Sequence, residues 1–260
     1  MNKLRQTIKL VLFISVAGMF LAACSDDDDK NIPVKEPSRV ITRIDVYKIA
    51  DVISHLSTVN FVYDSNNRPT LIHNDTPLMN ANYSYSDNSK ISYSYASENS
   101  SLVEVNTTLE NGRSYVCKFS NQENPITYSY DNDGYLKSAN NNGTILEYKW
   151  ANGNLESITS TPRGAYNSEY KVSGIANDYN LDLNTLAQWI DDRKDYTEVM
   201  NTLGQMAGIL GKRSSHITED TYYMYDYSFN QDGRLKDMTL IGSNAVGYSF
   251  RFSYDDNYIE

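Results

Sequence analysis

The chain has 260 residues, with 33 Asp and Glu against 23 Lys and Arg, a formal charge of −10 at pH 7. That balance argues against nucleic acid as a partner, because a phosphate backbone demands clustered cations and the sequence holds no basic stripe. Two cysteines and three scattered histidines exclude a disulfide framework and give a histidine-based metal centre no ligand spacing.

The N-terminus reads MNKLRQTIKLVLFISVAGMFLAAC. Lys3, Arg5 and Lys9 precede an apolar run from Leu10 to Ala23 that ends in small residues, the plan of a secretory signal over 1–23. The run falls short of the roughly 20 apolar residues a transmembrane helix needs. Its last four residues, LAAC, resemble the lipobox of bacterial lipoproteins. The resemblance implies that Cys24 becomes the first mature residue and carries the lipid that holds the chain to a membrane. Ordinary secretion with an incidental cysteine is the alternative. With Cys24 lipidated, only Cys117 remains, so the mature protein has no internal disulfide and must hold together by packing. Loss of the leader's three cations takes the formal charge from −10 to about −13.

Residues 24–38 contain a four-Asp block, two prolines and few apolar side chains, a composition that cannot bury a core and reads as a flexible acidic tether. An acidic cluster directly behind a lipidated cysteine also resembles the surface-export signal of Bacteroidetes lipoproteins. That resemblance implies the outer face of the outer membrane, with the periplasmic face as the alternative. The remaining residues, 39–260, have the length of one large β domain.

Within that domain one dodecamer is written twice, as YSYDNDGYLKSA from Tyr128 and as YSFNQDGRLKDM from Tyr227. A weaker copy runs from Phe61 to Ile72, where Asn67 takes the glycine position; Asn tolerates the left-handed backbone better than other non-glycine residues. A shortened copy, YKWANGNLESI, closes on Asn152-Gly153, the pair that suits a type I′ turn. Each copy reads as strand, tight turn, strand. Side chains alternate along strands, so Tyr128 and Tyr130, then Leu146, Tyr148 and Trp150, then Phe250, Phe252 and Tyr254 share faces, with Ser, Lys, Glu and Arg opposite. One aromatic face and one solvated face specify an antiparallel sheet. The short strands with charged outward faces do not suit a transmembrane barrel.

One segment departs from this period. Leu183, Leu186, Ala187 and Ile190, then Val199, Leu203, Met206, Ala207 and Leu210, have helical spacing. Asp182 or Asn184 can cap the first helix and Gly211 can end the second, giving a two-helix insertion over about 182–210 that covers an end or face of the sheet. The fold class is therefore all-β: a curved antiparallel meander or partly closed barrel of repeated hairpins with a two-helix insertion.

Two family resemblances attach to these motifs. The Y-x-Y-D-x-x-G-x-L unit resembles the tyrosine-aspartate repeats of Rhs and teneurin shells, which need many more tandem copies. The hairpin YSYDNDGYLKSA, the following EYKWANGNLESI, the insertion ending near GILGKRS and the closing YDYSFNQDGRLKDM resemble a family of Bacteroidetes lipoproteins of unknown function with a porin-like fold. The second resemblance spans about residues 40–258. It implies a curved, partly closed sheet and supplies no catalytic residue.

Motifs with chemical associations are better explained by architecture. DNDG at 131–134 lacks the acidic ligands of a calcium loop and reads as a turn. GILGKRS lacks the first glycine and the final Ser or Thr of a phosphate loop and ends a helix pattern instead of opening one. SDN at 86–88 and SEYK at 168–171 match β-lactamase elements in the wrong order. No catalytic residue, metal ligand or cofactor is expected, and the ligand-binding residues are unassigned. The expected function is that of an outer-membrane-anchored, surface-exposed lipoprotein acting as a non-catalytic binding or interaction module. Its partners are the membrane, through lipid on Cys24, and a glycan or an envelope protein. A glycan- or peptide-degrading hydrolase and a structural envelope subunit are the alternatives.

Overall fold

The computed structural model describes residues 38–50, 52–75, 78–86, 90–96, 103–110, 113–120, 123–161, 167–185, 211–243 and 245–255. The leader over 1–23, Cys24 and nearly all of the tether lie outside them. Sixteen strands form one sheet. They are β1 (Ile41–Ile49), β2 (Ile53–Tyr63), β3 (Pro69–Asp75), β4 (Leu78–Ser86), β5 (Lys90–Ala96), β6 (Val103–Glu110), β7 (Arg113–Phe119), β8 (Ile126–Tyr130), β9 (Leu136–Asn141) and β10 (Thr144–Ala151). β11 (Asn154–Thr161), β12 (Asn167–Ala176), β13 (His216–Asp220), β14 (Met224–Phe229), β15 (Leu235–Ile241) and β16 (Gly247–Tyr254) complete it.

Every strand pairs antiparallel with its chain neighbour from β1 to β13 and from β14 to β16, and β16 returns to pair with β1. The two ends of the domain thus close the ring, in register from Ile41 opposite Tyr254 to Ile49 opposite Gly247. Among the described residues, β13 and β14 are the one pair of consecutive strands that share no ladder. The result is a nearly closed, barrel-like antiparallel sheet.

The alternation read from the sequence sets which face is inside. Tyr227, Met238, Phe250 and Val46 lie directly opposite one another on β14, β15, β16 and β1, and the last three are at most 1% exposed. Phe61, Ile72 and Ala81 form a similar row on β2, β3 and β4. The outward face carries Arg43, Asn82, Glu104, Lys118, Lys137, Glu147, Lys149 and Glu156, all exposed. Ion pairs cross it at Lys149–Glu156 (2.6 Å) and Arg251–Asp237 (2.8 Å). A lipid-embedded barrel needs the reverse, an outward apolar band about 25 Å tall. These outward faces are suited to water.

Sixteen-stranded membrane barrels enclose an aqueous channel, whereas here the ring is filled by its own chain. β13 is buried on both faces, with Ile217, Thr218, Glu219 and Asp220 each under 9% exposed. Tyr179, Leu181 and Leu183, beyond the end of β12, join the same core as Ile44, Phe61 and Phe250.

The written repeat is a hairpin, as expected. Asp64 N–H donates to Arg68 O (2.9 Å), Asp131 N–H to Tyr135 O (3.0 Å) and Asn230 N–H to Arg234 O (2.8 Å). The fourth loop residue has positive φ in each: Asn67 at 58°, Gly134 at 92° and Gly233 at 82°. A register shift marks each entry, at Val62/Tyr63, Ser129/Tyr130 and Ser228/Phe229, so the loop is a type I turn closed by a left-handed bulge residue. Asn152-Gly153 is the expected I′ pair (52° and 75°), and Asn142-Gly143 (50° and 89°) repeats it at a turn the sequence reading passed over.

The two-helix insertion over 182–210 lies mostly outside the described residues. What is described begins as a 3-10 turn, Leu183–Thr185. Asp182 Oδ1 accepts the N–H of Asn184 (3.1 Å) at the start of this turn.

Candidate functional site

The end of the ring that carries the repeat hairpins also carries a second, three-dimensional repeat. Five strands end on an aromatic residue whose polar tip donates back to a carbonyl at the start of the preceding strand. Tyr63 donates to Ile41 O (2.6 Å), Tyr85 to Pro69 O (2.6 Å) and Tyr130 to Ser114 O (2.6 Å). Trp150 Nε1 donates to Leu136 O (2.7 Å) and the Tyr254 hydroxyl to Leu235 O (2.5 Å). Carbonyls at strand ends have run out of ladder, and a buried one needs a donor.

A residue that opens or precedes the return strand then covers each of four rings. The guanidinium of Arg68 sits 4.3 Å from the centre of the Tyr85 ring, that of Arg113 5.6 Å from Tyr130 and that of Arg234 4.7 Å from Tyr254. Tyr135 stacks on Trp150 at 4.7 Å. Burial pushes the phenols of Tyr63, Tyr85, Tyr130 and Tyr254 above the ordinary tyrosine range. The aromatic richness at this end is therefore committed to closing the structure.

Two connecting segments, one running into the 3-10 turn and one into β13, cross the same end. In the first, 177–184, Asn180 Oδ1 accepts Ile41 N–H (2.8 Å), and the Tyr179 hydroxyl accepts Leu235 N–H (2.9 Å). In the second, 211–216, Lys212 N–H donates to Gly134 O (2.9 Å) and Ser215 N–H to Gly153 O (3.0 Å), so both rest on hairpin turns. Gly211 has φ of 82°, and a Cβ there would lie 2.7 Å from Gly134 O and 2.8 Å from the Tyr130 ring, so the approach requires glycine. Arg213 ties the two segments together through Tyr179 O (2.7 Å). The described segments on either side of 186–210 thus cover an end of the sheet.

Where they meet lies a buried polar cluster of Asn154, Asn177, Asn184, Ser214 and Thr218, with Asp182 at its edge. Asn184 Oδ1 accepts Thr218 N–H (2.7 Å), and Ser214 Oγ accepts Leu155 N–H (3.0 Å). Asn177 Nδ2 donates to Asp182 Oδ1 (3.3 Å) and to Ser214 O (3.2 Å). Desolvation holds the Asp182 carboxyl above its ordinary range, against the attraction of Arg213 and the bonds from Asn184 and Asn177. A carboxyl raised in the folded state favours folding at pH below its unfolded value and loses that contribution as pH rises through its folded value. Asp182→Asn is therefore expected to gain stability relative to the native chain as pH is raised from about 4 to 8. Paired thermal melts across that range check it, and a constant difference would show that the charge is not what the fold opposes.

The other buried acids have hydrogen-bond or ion-pair partners. Asp45 takes two bonds from Arg43 and one from Thr58 (2.7 Å), which together keep its carboxyl low against the cost of burial. Glu219 is gripped by Lys171 (2.9 Å) and Tyr227 (3.2 Å), and Asp220 by Ser168 (2.8 Å).

The histidines are apart: His55 bonds Thr58, His73 bonds Asn80 and His216 bonds Ser215. Among the described residues no group of three or more His, Cys, Asp or Glu is placed to hold a metal ion. DNDG is a turn, with Asp131 Oδ1 accepting the N–H of Gly134 (2.8 Å) and Tyr135 (2.9 Å). Sequence reasoning named Asp182 as a helix cap and missed the crossing segment and the burial of that carboxyl. The signal was present: in NDYNLDLN, from Asn177, the apolar Tyr179, Leu181 and Leu183 recur every second residue, the period of an extended chain.

No protein-family model matches the chain, and no curated protein does. Among solved structures, a porin-like protein from Bacteroides uniformis is similar over 83% of this chain and 98% of its own, with 14% sequence identity and a TM-score of 0.58. At that identity the likeness shows the fold.

Proposed function

We propose that this protein is an outer-membrane lipoprotein, anchored through lipid on Cys24 and facing the cell surface, whose barrel-like domain is a non-catalytic binding or interaction module. The observation that carries this reading is the outward face of the sheet. A porin-like ring whose outer wall carries Arg, Lys, Glu and Asn among scattered apolar residues such as Val62, Tyr115 and Val172 is not suited to hydrocarbon, so membrane attachment falls to the N-terminal leader and its LAAC sequence. Likeness to a porin-like Bacteroides protein fits the acidic export signal behind Cys24.

A glycan and an envelope protein remain the two partner classes. The hydrolase alternative draws on one feature, the raised carboxyl of Asp182. Glycoside hydrolysis needs two carboxyl groups about 5–9.5 Å apart, and Asp182 already serves as cap to Asn184 and acceptor to Asn177. The same position makes it a joint of the fold.

Lipidation and address are tested together. Cys24→Ala is expected to abolish incorporation of labelled fatty acid and move the protein from the membrane to the soluble fraction. External protease on intact cells is expected to digest the native chain. Retention of Cys24→Ala on membranes after a high-salt wash would overturn the anchor, and full protection from protease would place the domain in the periplasm.

A further inference from the structure

Among the described residues, each strand of the ring has a ladder on both edges except β13 and β14. They are joined by residues 221–223, a link short enough for a hairpin, yet no backbone ladder forms between them. β13 turns inward instead. Thr218 and Asp220 pair with Val172 and Tyr170 of β12, while Ile217 belongs to the main core, against which Tyr223, Tyr225 and Tyr227 also pack.

Side chains take the place of the missing ladder. The Tyr227 hydroxyl donates to Glu219 Oε1 (3.2 Å), Lys171 Nζ reaches Glu219 Oε2 (2.9 Å), and Asp220 N–H donates to the Tyr225 hydroxyl (3.1 Å). One carboxylate thus links β12, β13 and β14. A ladder spreads its hydrogen bonds over every second residue and survives the loss of one, but this seam has no such reserve. The adjoining β12–β13 ladder is itself interrupted between Val172 and Ala176. At the other closure β1 and β16 pair without a shift from Arg43–Ser253 to Ile49–Gly247, with one register shift at the Ile41 end.

We infer that the ring opens at the β13–β14 seam before it opens anywhere else, and that Glu219 is the latch. Opening there parts β14 from β13 and brings Tyr225, Tyr227 and Ile217 to solvent without breaking a backbone ladder. It is a way into the aromatic interior that leaves the rest of the ring intact. The inference does not depend on lipidation or on the identity of a ligand.

Hydrogen–deuterium exchange of the full-length chain, read by mass spectrometry, tests it. Amides of 216–229 are expected to exchange at least about tenfold faster than those of 41–49 and 247–254. Tyr227→Phe and Glu219→Gln are each expected to accelerate 216–229 by about another fivefold, the effect of one lost hydrogen bond, and to leave β1 and β16 unchanged. Tyr254→Phe, which removes a hydroxyl bond at the covered end, is expected to leave 216–229 unchanged. Equal protection at the seam and at the β1–β16 closure would overturn the inference. So would latch variants that speed exchange evenly around the ring, or a Tyr254→Phe variant that speeds the seam as much as they do.

Discussion

Phe250→Ala is expected to lower the free energy of unfolding by about 3–5 kcal/mol, read as a fall in the urea midpoint with an unchanged slope. Phe250 is wholly buried. It stands between Met238 and Val46 in the row that runs across β15, β16 and β1. Large-to-small changes lose the transfer free energy of the ring and leave a cavity that surrounding strands fill only in part. Here collapse is opposed from both sides, because β16 is laddered to β1 and to β15 and neither can shift without the other. Ser253→Ala, on the exposed face of the same strand, is expected to stay within about 0.5 kcal/mol. A loss below about 1 kcal/mol for Phe250→Ala would mean that the row is loosely packed and that the β1–β16 closure contributes little to stability.

That closure was not legible in the sequence, and the hairpins were, for the same physical reason. A turn is local chemistry: Asp131, Gly134 and Tyr135 lie within five residues, and their bonds follow from residue type at fixed spacing. Even Asn67 was readable, because few residues other than glycine accept its φ of 58°. Pairing of Val46 with Phe250 joins residues about two hundred positions apart, and alternation alone states which faces are buried without naming which strands meet. Equally out of reach was the failure of β13 to pair with β14. Its sequence, HITED, holds one apolar residue, and nothing local shows that both faces are covered.

The covered end shows a different kind of partial legibility. Tyr63, Tyr85, Tyr130 and Tyr254 were visible as aromatic residues at strand ends, but the acceptor of each hydroxyl is a main-chain carbonyl, and every residue type presents one. The five-fold recurrence of the bond therefore leaves only half of itself in the sequence. In the segment from Asn177 to Asn184, only the part from Asp182 reads as the start of a helix, because Leu183, Leu186, Ala187 and Ile190 have a helical period. Its period of two, carried by Tyr179, Leu181 and Leu183, overlaps the start of that pattern, and one leucine serves both.

Trp150 decides whether the aromatic face is structure or binding surface. Its ring stacks on Tyr135 at 4.7 Å, its Nε1 donates to Leu136 O at 2.7 Å, and it packs against the small core of Leu155, Ile158 and Tyr170. Trp150→Ala is accordingly expected to cost about 3 kcal/mol, the lower end for an aromatic truncation because the ring is only half-buried. Trp150→Phe keeps most of the stacking and loses the donor, and is expected to cost about 1 kcal/mol. A sugar platform behaves in the opposite way. Rings that stack on saccharides are held ready on the surface, so their removal weakens binding and leaves the melting temperature nearly unchanged. Urea unfolding of the leaderless protein and its two variants, beside a glycan array of the same three samples, separates these outcomes. Large stability losses with no change in the array assign the ring to the closing repeat at the covered end. A saccharide hit lost in a fully stable Trp150→Ala would reassign it, and with it the partner, to a glycan.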